Sequence, residues 1–403
     1  MVGKISGGGV TTPAGFKASA ANADIKGKGA DRNDCSLLMS DSPCVAAGIF
    51  TANLVKAAPV LYDMEILASG SAIRAVLVNS GNANACTGKT GVESCRKLAE
   101  SFAKTMEIKG ENILIASTGV IGTPFPYERL ENMRETLYDG LANDSGMEFA
   151  EGIMTTDTRP KEAAFCVETK NGRFLIGGCC KGSGMIAPSL ATMLAFITTD
   201  AVIEKELLER ALKECAELSF NRITVDGDMS TNDSVIALAN GMSGVIINED
   251  NYGDFKAGLA ALMEKLAKKI VKDGEGAAKF VTINVINAAT EKDAVLCASK
   301  IANSPLVKTM FAGCDPNWGR LMASAGASGA VFNPDDTDIY FNDLHYVKNG
   351  IIIDTDLEKE AYEIMTSEEY SITLDLHAGS FGTKFYTSDF TADYIKINAD
   401  YRS

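Results

Sequence analysis

Three apolar runs, Ile73–Ser80, Asn112–Ala116 and Met193–Ile197, are each five to eight residues long, and each adjoins a loop of glycine and small polar residues. Runs this short cannot cross a membrane as helices, and their β-branched content marks them as buried strands. Helical signals lie between and beyond them. Glu93–Met106 has helical composition. Glu204–Phe220 places Leu207, Leu208, Ala211, Leu212, Cys215 and Leu218 on one face, and Tyr252–Lys272 does the same with Phe255, Leu259, Leu262, Leu266 and Ile270. In the last third, Phe280–Ile286 and Ser371–Leu376 alternate apolar and polar residues, as half-buried strands do. Leu357–Met365 reads as a short helix, and Tyr394–Ile397 alternates like a strand that docks the tail. The chain is therefore mixed α and β. It has no internal repeat and no low-complexity linker, so a domain boundary falls in an ordered loop, with Asp273–Gly276 the best candidate.

Charge and residue usage exclude several function classes. The 403 residues suggest two or three domains. Lys plus Arg is 38 against 53 Asp plus Glu, a net charge of −15. Nucleic acids and anionic membranes attract clustered cations, so neither is an expected partner. Only two histidines occur, His345 and His377, which argues against a multi-histidine metal site and leaves little room for a Ser-His-Asp triad; no metal is expected. The ten cysteines include no CxxC, and the vicinal pair Cys179-Cys180 reads as two reduced small hydrophobes. The first residues carry no apolar leader, and a cytoplasmic location is expected.

Four segments concentrate Gly, Ser and Thr: Gly7–Pro13, Ser80–Asn84, Ser117–Gly122 and Lys181–Pro188. None fits a P-loop or a dinucleotide fingerprint, so each alone is a tight turn. The last runs through Ala191-Thr192 into the strand Met193–Ile197, which sets one hydroxyl at the mouth of a buried element. A threonine opening a strand is ordinary, because it is β-branched. A threonine can also be a nucleophile that carries its own base, provided its α-amino group is free. That amine titrates near 7.7–8.0, so no histidine is needed. Attack of the Thr192 hydroxyl on the Ala191 carbonyl, followed by hydrolysis of the ester, would free it.

At these residues the chain resembles the ornithine acetyltransferase family, also called bifunctional glutamate N-acetyltransferase. Nine ordered segments carry the resemblance: Gly8–Gly15, Asn79-Ser-Gly-Asn-Ala-Asn84, Ser117-Thr-Gly119, Met154-Thr-Thr-Asp-Thr158, Lys181–Leu194, Thr224–Asp228, Asp273-Gly-Glu-Gly276, Asp315-Pro-Asn-Trp-Gly-Arg320 and Ile397–Tyr401. It implies an α+β fold, an αββα sandwich like that of the self-cleaving aminopeptidases of the DmpA type, with an additional C-terminal α/β domain at about 280–403. It also implies self-cleavage into an α chain, 1–191, and a β chain, 192–403, assembled as a heterotetramer of two of each. Acetyl passes from N-acetyl-ornithine to glutamate through an acetyl-enzyme, in the recycling arm of arginine synthesis.

Carried over by motif position, Thr192 is the nucleophile, and Thr118 and Gly119 form the oxyanion hole. Thr155, Lys181, Thr192, Glu275, Asn398 and Ser403 bind substrate, with Lys181 suited to the α-carboxylate and Glu275 to the ornithine ammonium. Asp226, Asp228 and Asn317 read as structural, and a nucleophilic Cys86, Cys179 or Cys180 is disfavoured, since no histidine neighbours any of them in sequence. No cofactor is implied. Acetyl-CoA is a second candidate donor, but no CoA motif is legible and the acidic charge offers no open basic patch, so the single-donor reading is preferred. The alternatives are a self-processed aminopeptidase or amidase of the same fold, and a non-catalytic amino-acid-binding protein.

Overall fold

The computed structural model describes residues 1–29, 31–187 and 193–399. Along the first two thirds the elements are β1 (Val2–Ile5), β2 (Phe16–Ala21), β3 (Cys35–Phe50), α1 (Ala58–Ala68), β4 (Ile73–Asn82), α2 (Gly88–Met106), β5 (Ile113–Val120), α3 (Tyr127–Glu131), α4 (Arg134–Asp139), α5 (Gly146–Gly152), β6 (Lys161–Thr169), β7 (Gly172–Lys181), β8 (Leu194–Thr199), α6 (Lys205–Glu217), β9 (Ile223–Thr224), β10 (Ser234–Ala239) and α7 (Tyr252–Lys272). The remainder holds β11 (Phe280–Ala288), α8 (Glu291–Ala302), α9 (Pro305–Ala312), α10 (Trp318–Gly326), β12 (Asp338–Phe341), β13 (Leu344–Lys348), β14 (Ile351–Ile352), α11 (Glu358–Thr366), β15 (Glu369–Asp375), β16 (Phe381–Ser388) and α12 (Ala392–Ala399). The class is α+β. The chain divides into two compact units. The first is Met1–Gly182, Ser189–Asn221 and Asp228–Ile270; the second is Ser183–Pro188, Arg222–Gly227 and Val271–Ser403.

In the first unit the long strand β3 belongs to two sheets. Its residues Cys35–Ser40 pair with β2, and Val45–Phe50 pair with β10. The switch surrounds Pro43, which has no N–H to give a ladder, and the β3–β4 register slips between Met39 and Cys44. One sheet runs β1-β6-β7-β8-β10-β3, the other β2-β3-β4-β5. Leu194 and Phe196 of β8 share a core with Leu37, Val76 and Leu77 of the second sheet, and Phe149 of α5 meets Phe196 edge-on at 5.4 Å. The opposite face of the first sheet carries α7, where Phe255 stacks on Phe174 of β7 at 5.8 Å. On the second sheet, α1 sends Asp63 to accept the Ile115 amide of the edge strand β5 at 2.8 Å. The layers follow the αββα order.

The parallel pairs matter most for the site. β4 and β5 run parallel with α2 between them in sequence, and β8 and β10 run parallel with α6 between them. Every residue of β8 is buried, so it reads as a continuous apolar run. The second unit holds a seven-stranded sheet of order β14-β13-β12-β15-β11-β16-β9, with α8, α9 and α10 in its core. The segment 183–187 joins it through the Ile186 carbonyl, which accepts from the Val225 amide at 3.0 Å and the Thr224 hydroxyl at 3.0 Å.

Two expectations need correction. Tyr394–Ile397 is part of the helix α12, not a strand. Four alternating residues are too few to distinguish the two periods, and local chemistry favours the helix: the Thr391 hydroxyl accepts the Asp393 amide, and Asp393 pairs with Lys396 at i+3. Leu218 is not inward, because α6 ends at Glu217 and leaves it 64% exposed. Cys179 and Cys180 are free thiols, both buried, and burial pushes Cys180 up to about 12, so neither supplies a thiolate. Among the described residues, no helix is long and apolar enough to cross a membrane.

A titration follows from β6. Burial pushes the Glu162 carboxyl up to about 7; Lys269 opposes, while Glu148 and Glu151 add to the shift. Its Oε1 has no hydrogen-bond partner among the described residues. The folded chain therefore holds a proton that the unfolded chain loses above its ordinary value of 4.5, and stability falls as pH rises from about 4.5 to about 7. Glu162→Gln should flatten the fall. Melting temperatures of both proteins across that window check it; parallel curves would exclude Glu162.

Candidate active site

The site begins where β4 and β5 end together. Ser80 faces Thr118 and Gly81 faces Gly119 across the parallel ladder. Gly119 adopts φ +131°, and a Cβ there would lie 2.3 Å from the Gly81 carbonyl carbon. Only glycine permits this approach. The end of β5 is held from below: the Ser117 hydroxyl donates to Asn79 at 2.7 Å, and Asn232 donates to the carbonyls of Ser117 and Ala83, each at 2.7 Å. Asn82 in turn donates to Thr123 and Pro124 at 3.0 and 2.9 Å. The motif Asn79–Asn84 is thus a hydrogen-bonded brace for the strand end.

Thr118 is buried, and its hydroxyl oxygen accepts from Lys181 Nζ, itself buried at the end of β7, at 3.2 Å. With the oxygen accepting there, the hydroxyl's own proton is what it can donate. Lys181 is one of two buried lysines arranged around Asp157. The Asp157 carboxylate accepts from Lys161 Nζ at 2.6 Å, from the Gly182 amide at 2.7 Å and from the Thr155 amide at 3.0 Å. Burial alone would raise its pKa. Lys181 and Lys161, with these hydrogen bonds, outweigh burial and hold the carboxyl down to about 2. Thr118, Gly119, Lys181 and Thr155 are therefore tied into one network within the first unit.

Glu275 and Asn398 meet in the second unit. Asn398 donates to the Glu275 carboxylate at 2.7 Å, and the Glu275 amide donates to the Ser183 carbonyl at 3.0 Å. The carboxylate lies where a Cβ on Gly184 would come within 2.3 Å of it, so a side chain at 184 would displace it. Asp226 binds the amides of Met185 and Ile186 at 2.5 and 2.8 Å, and Asn317 caps α10 by accepting the Arg320 amide at 3.2 Å. Ala191, Thr192 and Ser403 lie outside the described residues. The nearest described neighbour of the first two is Met193, whose amide donates to Asp233 at 3.1 Å.

Three residues of this network escaped the sequence reading: Asp157, Asn232 and Asp233. Asp157 sits inside the Met154–Thr158 motif, four residues before Lys161, and that spacing was its one visible signal. Among the described residues, no cluster of His, Cys, Asp and Glu could hold a metal ion.

The ArgJ family model matches residues 17–403. The chain belongs to the ArgJ family. The arginine biosynthesis bifunctional protein ArgJ of Symbiobacterium thermophilum is 45% identical over 98% of this chain and 99% of its own. Two solved ArgJ-like proteins are also similar. The arginine biosynthesis bifunctional protein of Bacillus halodurans is 37% identical, with a TM-score of 0.49, over 51% of this chain and 97% of that one. The ornithine acetyltransferase of Mycobacterium tuberculosis, solved with ornithine, is 36% identical, with a TM-score of 0.43, over 47% of this chain and 100% of that one.

Removing the charge at Asp157 tests the network. Asp157→Asn removes the carboxylate that accepts from Lys161 and faces the Lys181 charge, and breaking a buried pair in this way costs about 3–5 kcal/mol. Since the folded carboxyl titrates about 2 against an ordinary 3.8, the carboxylate's contribution is complete above pH 3.8 and is lost as pH falls toward 2. Urea denaturation at neutral pH should show the difference, and it should narrow in acid.

Proposed function

We propose that this ArgJ-family chain is a self-processing acyltransferase that moves acetyl from N-acetyl-L-ornithine to L-glutamate in arginine biosynthesis. Family membership over nearly the whole chain supports the reaction. One local observation supports the chemistry: the Thr118 hydroxyl, fixed by Lys181 and followed by a glycine that only a side-chain-free residue could replace, offers a hydroxyl and an adjacent backbone amide from one strand end.

In this reading the Thr192 hydroxyl attacks the Ala191 carbonyl, the C–N bond gives way to an ester, and water releases residues 1–191. The freed α-amine then serves as base. Thr192 attacks the acetyl carbonyl of N-acetyl-ornithine, ornithine leaves, and the acetyl ester is taken by the amine of glutamate in a ping-pong sequence. Thr118 and Gly119 donate to the oxyanion of each tetrahedral intermediate. Lys181 offers a cation for the substrate α-carboxylate, and Thr155, Glu275, Asn398 and Ser403 contribute to binding by their motif positions. The two products of cleavage are an α chain, 1–191, and a β chain, 192–403, the latter including an α/β domain from about 280, assembled as an α2β2 heterotetramer in the cytoplasm. No nucleic acid, membrane or metal takes part. The aminopeptidase alternative is set aside, because the relatives are named for arginine biosynthesis. The word bifunctional in those names favours a second reading for the donor, direct acetylation of glutamate from acetyl-CoA, against the single-donor expectation.

The Thr192→Ala protein should remain a single chain and be inactive, while the unaltered protein runs as two pieces, the second beginning Thr192-Met-Leu. Full activity of the variant would refute the mechanism. Thr118→Ala should lower kcat by roughly 10²–10³-fold with a much smaller change in KM. Assays of glutamate with N-acetyl-ornithine or with acetyl-CoA separate the donors.

A further inference from the structure

The turn that precedes β10 binds two strands at once. Asn232 holds the carbonyl of Ser117, the residue before Thr118, and Asp233 accepts the amide of Met193. That amide belongs to the peptide bond that follows Thr192 in the sequence. The turn is itself pinned at the end of β3: the Thr51 amide donates to the Asp233 carbonyl at 3.0 Å, and the Thr51 hydroxyl donates to the Ser230 carbonyl at 2.7 Å. Asn232 and Asp233 are both buried, Asp233 completely.

We propose that Asn232 and Asp233 form a positioning clamp, in which adjacent side chains set the strand that follows the nucleophile against the strand that carries the oxyanion donors. The inference rests on the roles given above to Thr192 and Thr118. It adds a state of protonation. One Asp233 oxygen serves Met193, while Oδ2 has no hydrogen-bond partner among the described residues. An ionised carboxylate buried in this way would be costly, so the clamp works with a neutral carboxyl. Burial pushes its pKa well above the usual carboxylate range, even though the Met193 amide and the Lys181 charge act to lower it. A neutral side chain of the same shape should therefore replace it, whereas a truncated one should not.

The experiment follows cleavage of full-length precursor made by cell-free translation. Asp233→Ala should slow cleavage at least tenfold, and Asp233→Asn should stay within threefold of the unaltered protein. Asn232→Ala should slow it as Asp233→Ala does. In the cleaved enzyme, Asp233→Ala should lower kcat at least tenfold and leave KM within twofold. As pH is raised, cleavage of the unaltered precursor should fall while Asp233→Asn holds level. Cleavage of Asp233→Ala at the normal rate overturns the clamp. So does an Asp233→Asn protein that melts normally yet cleaves slowly, or one that keeps the original pH dependence. If Asp233→Ala fails to fold, the Asp233→Asn rate and pH profile decide alone. An unaltered precursor that never cleaves refutes self-processing and the clamp together; normal cleavage with an insensitive Asp233→Ala refutes only the clamp.

Discussion

The Asp157 carboxylate is the interaction on which the first unit's site depends. A buried lysine is normally neutral or absent, and here two lie beside one acid. Lys161 opens β6 and Lys181 closes β7, antiparallel neighbours whose register sets Lys161 opposite Cys180. The acid thus stitches one rim of the sheet, where strands begin and end, while it holds one ammonium against Thr118. Its other bonds, to the amides of Thr155 and Gly182, shape the two loops that leave this rim. Charge, backbone and hydroxyl are ordered together, and no component could be replaced without disturbing the others.

The sandwich brings such a rim into being. β3 crosses from one sheet to the other at Pro43, so strands that are remote in sequence finish on shared ground. Two parallel pairs, β4 with β5 and β8 with β10, each deliver a strand end and its loop. In the first pair the strands' final residues carry the Asn79–Asn84 brace and Thr118-Gly119; in the second, β8 starts just after Met193 and β10 just after Asn232-Asp233. A fold with antiparallel hairpins at these places would send neighbouring loops to opposite ends.

Much of this was legible in the sequence, for physical reasons. β4, β5 and β8 are short apolar runs because both their faces are covered, and α7 keeps Phe255, Leu259, Leu262, Leu266 and Ile270 inward as its period required. Thr118, Gly119, Lys181 and Thr155 were reached by motif, and they do share a network. α12 was misread because its residues are mostly exposed, so burial imposes no clear period on them. Asp157 and Asp233 were missed because an acid in a polar loop looks solvated; only tertiary structure reveals that both are buried. The relation of Glu275 to Asn398 has the same character, since 123 residues separate them.

The segment 183–187 belongs to the second unit although it precedes Thr192. A cut at that point would therefore leave the shorter-numbered product threaded through both units, and β7 would remain hydrogen-bonded to β8 across the new chain break. None of the described ladders of β8 would open with that peptide bond. The two products would be separate molecules by covalent count, yet paired along the β7–β8 ladder. What changes is the way back: once unfolded, the halves must find each other in solution, so refolding becomes a second-order event. Such processing would leave a fold preserved chiefly by the slowness of its own unfolding.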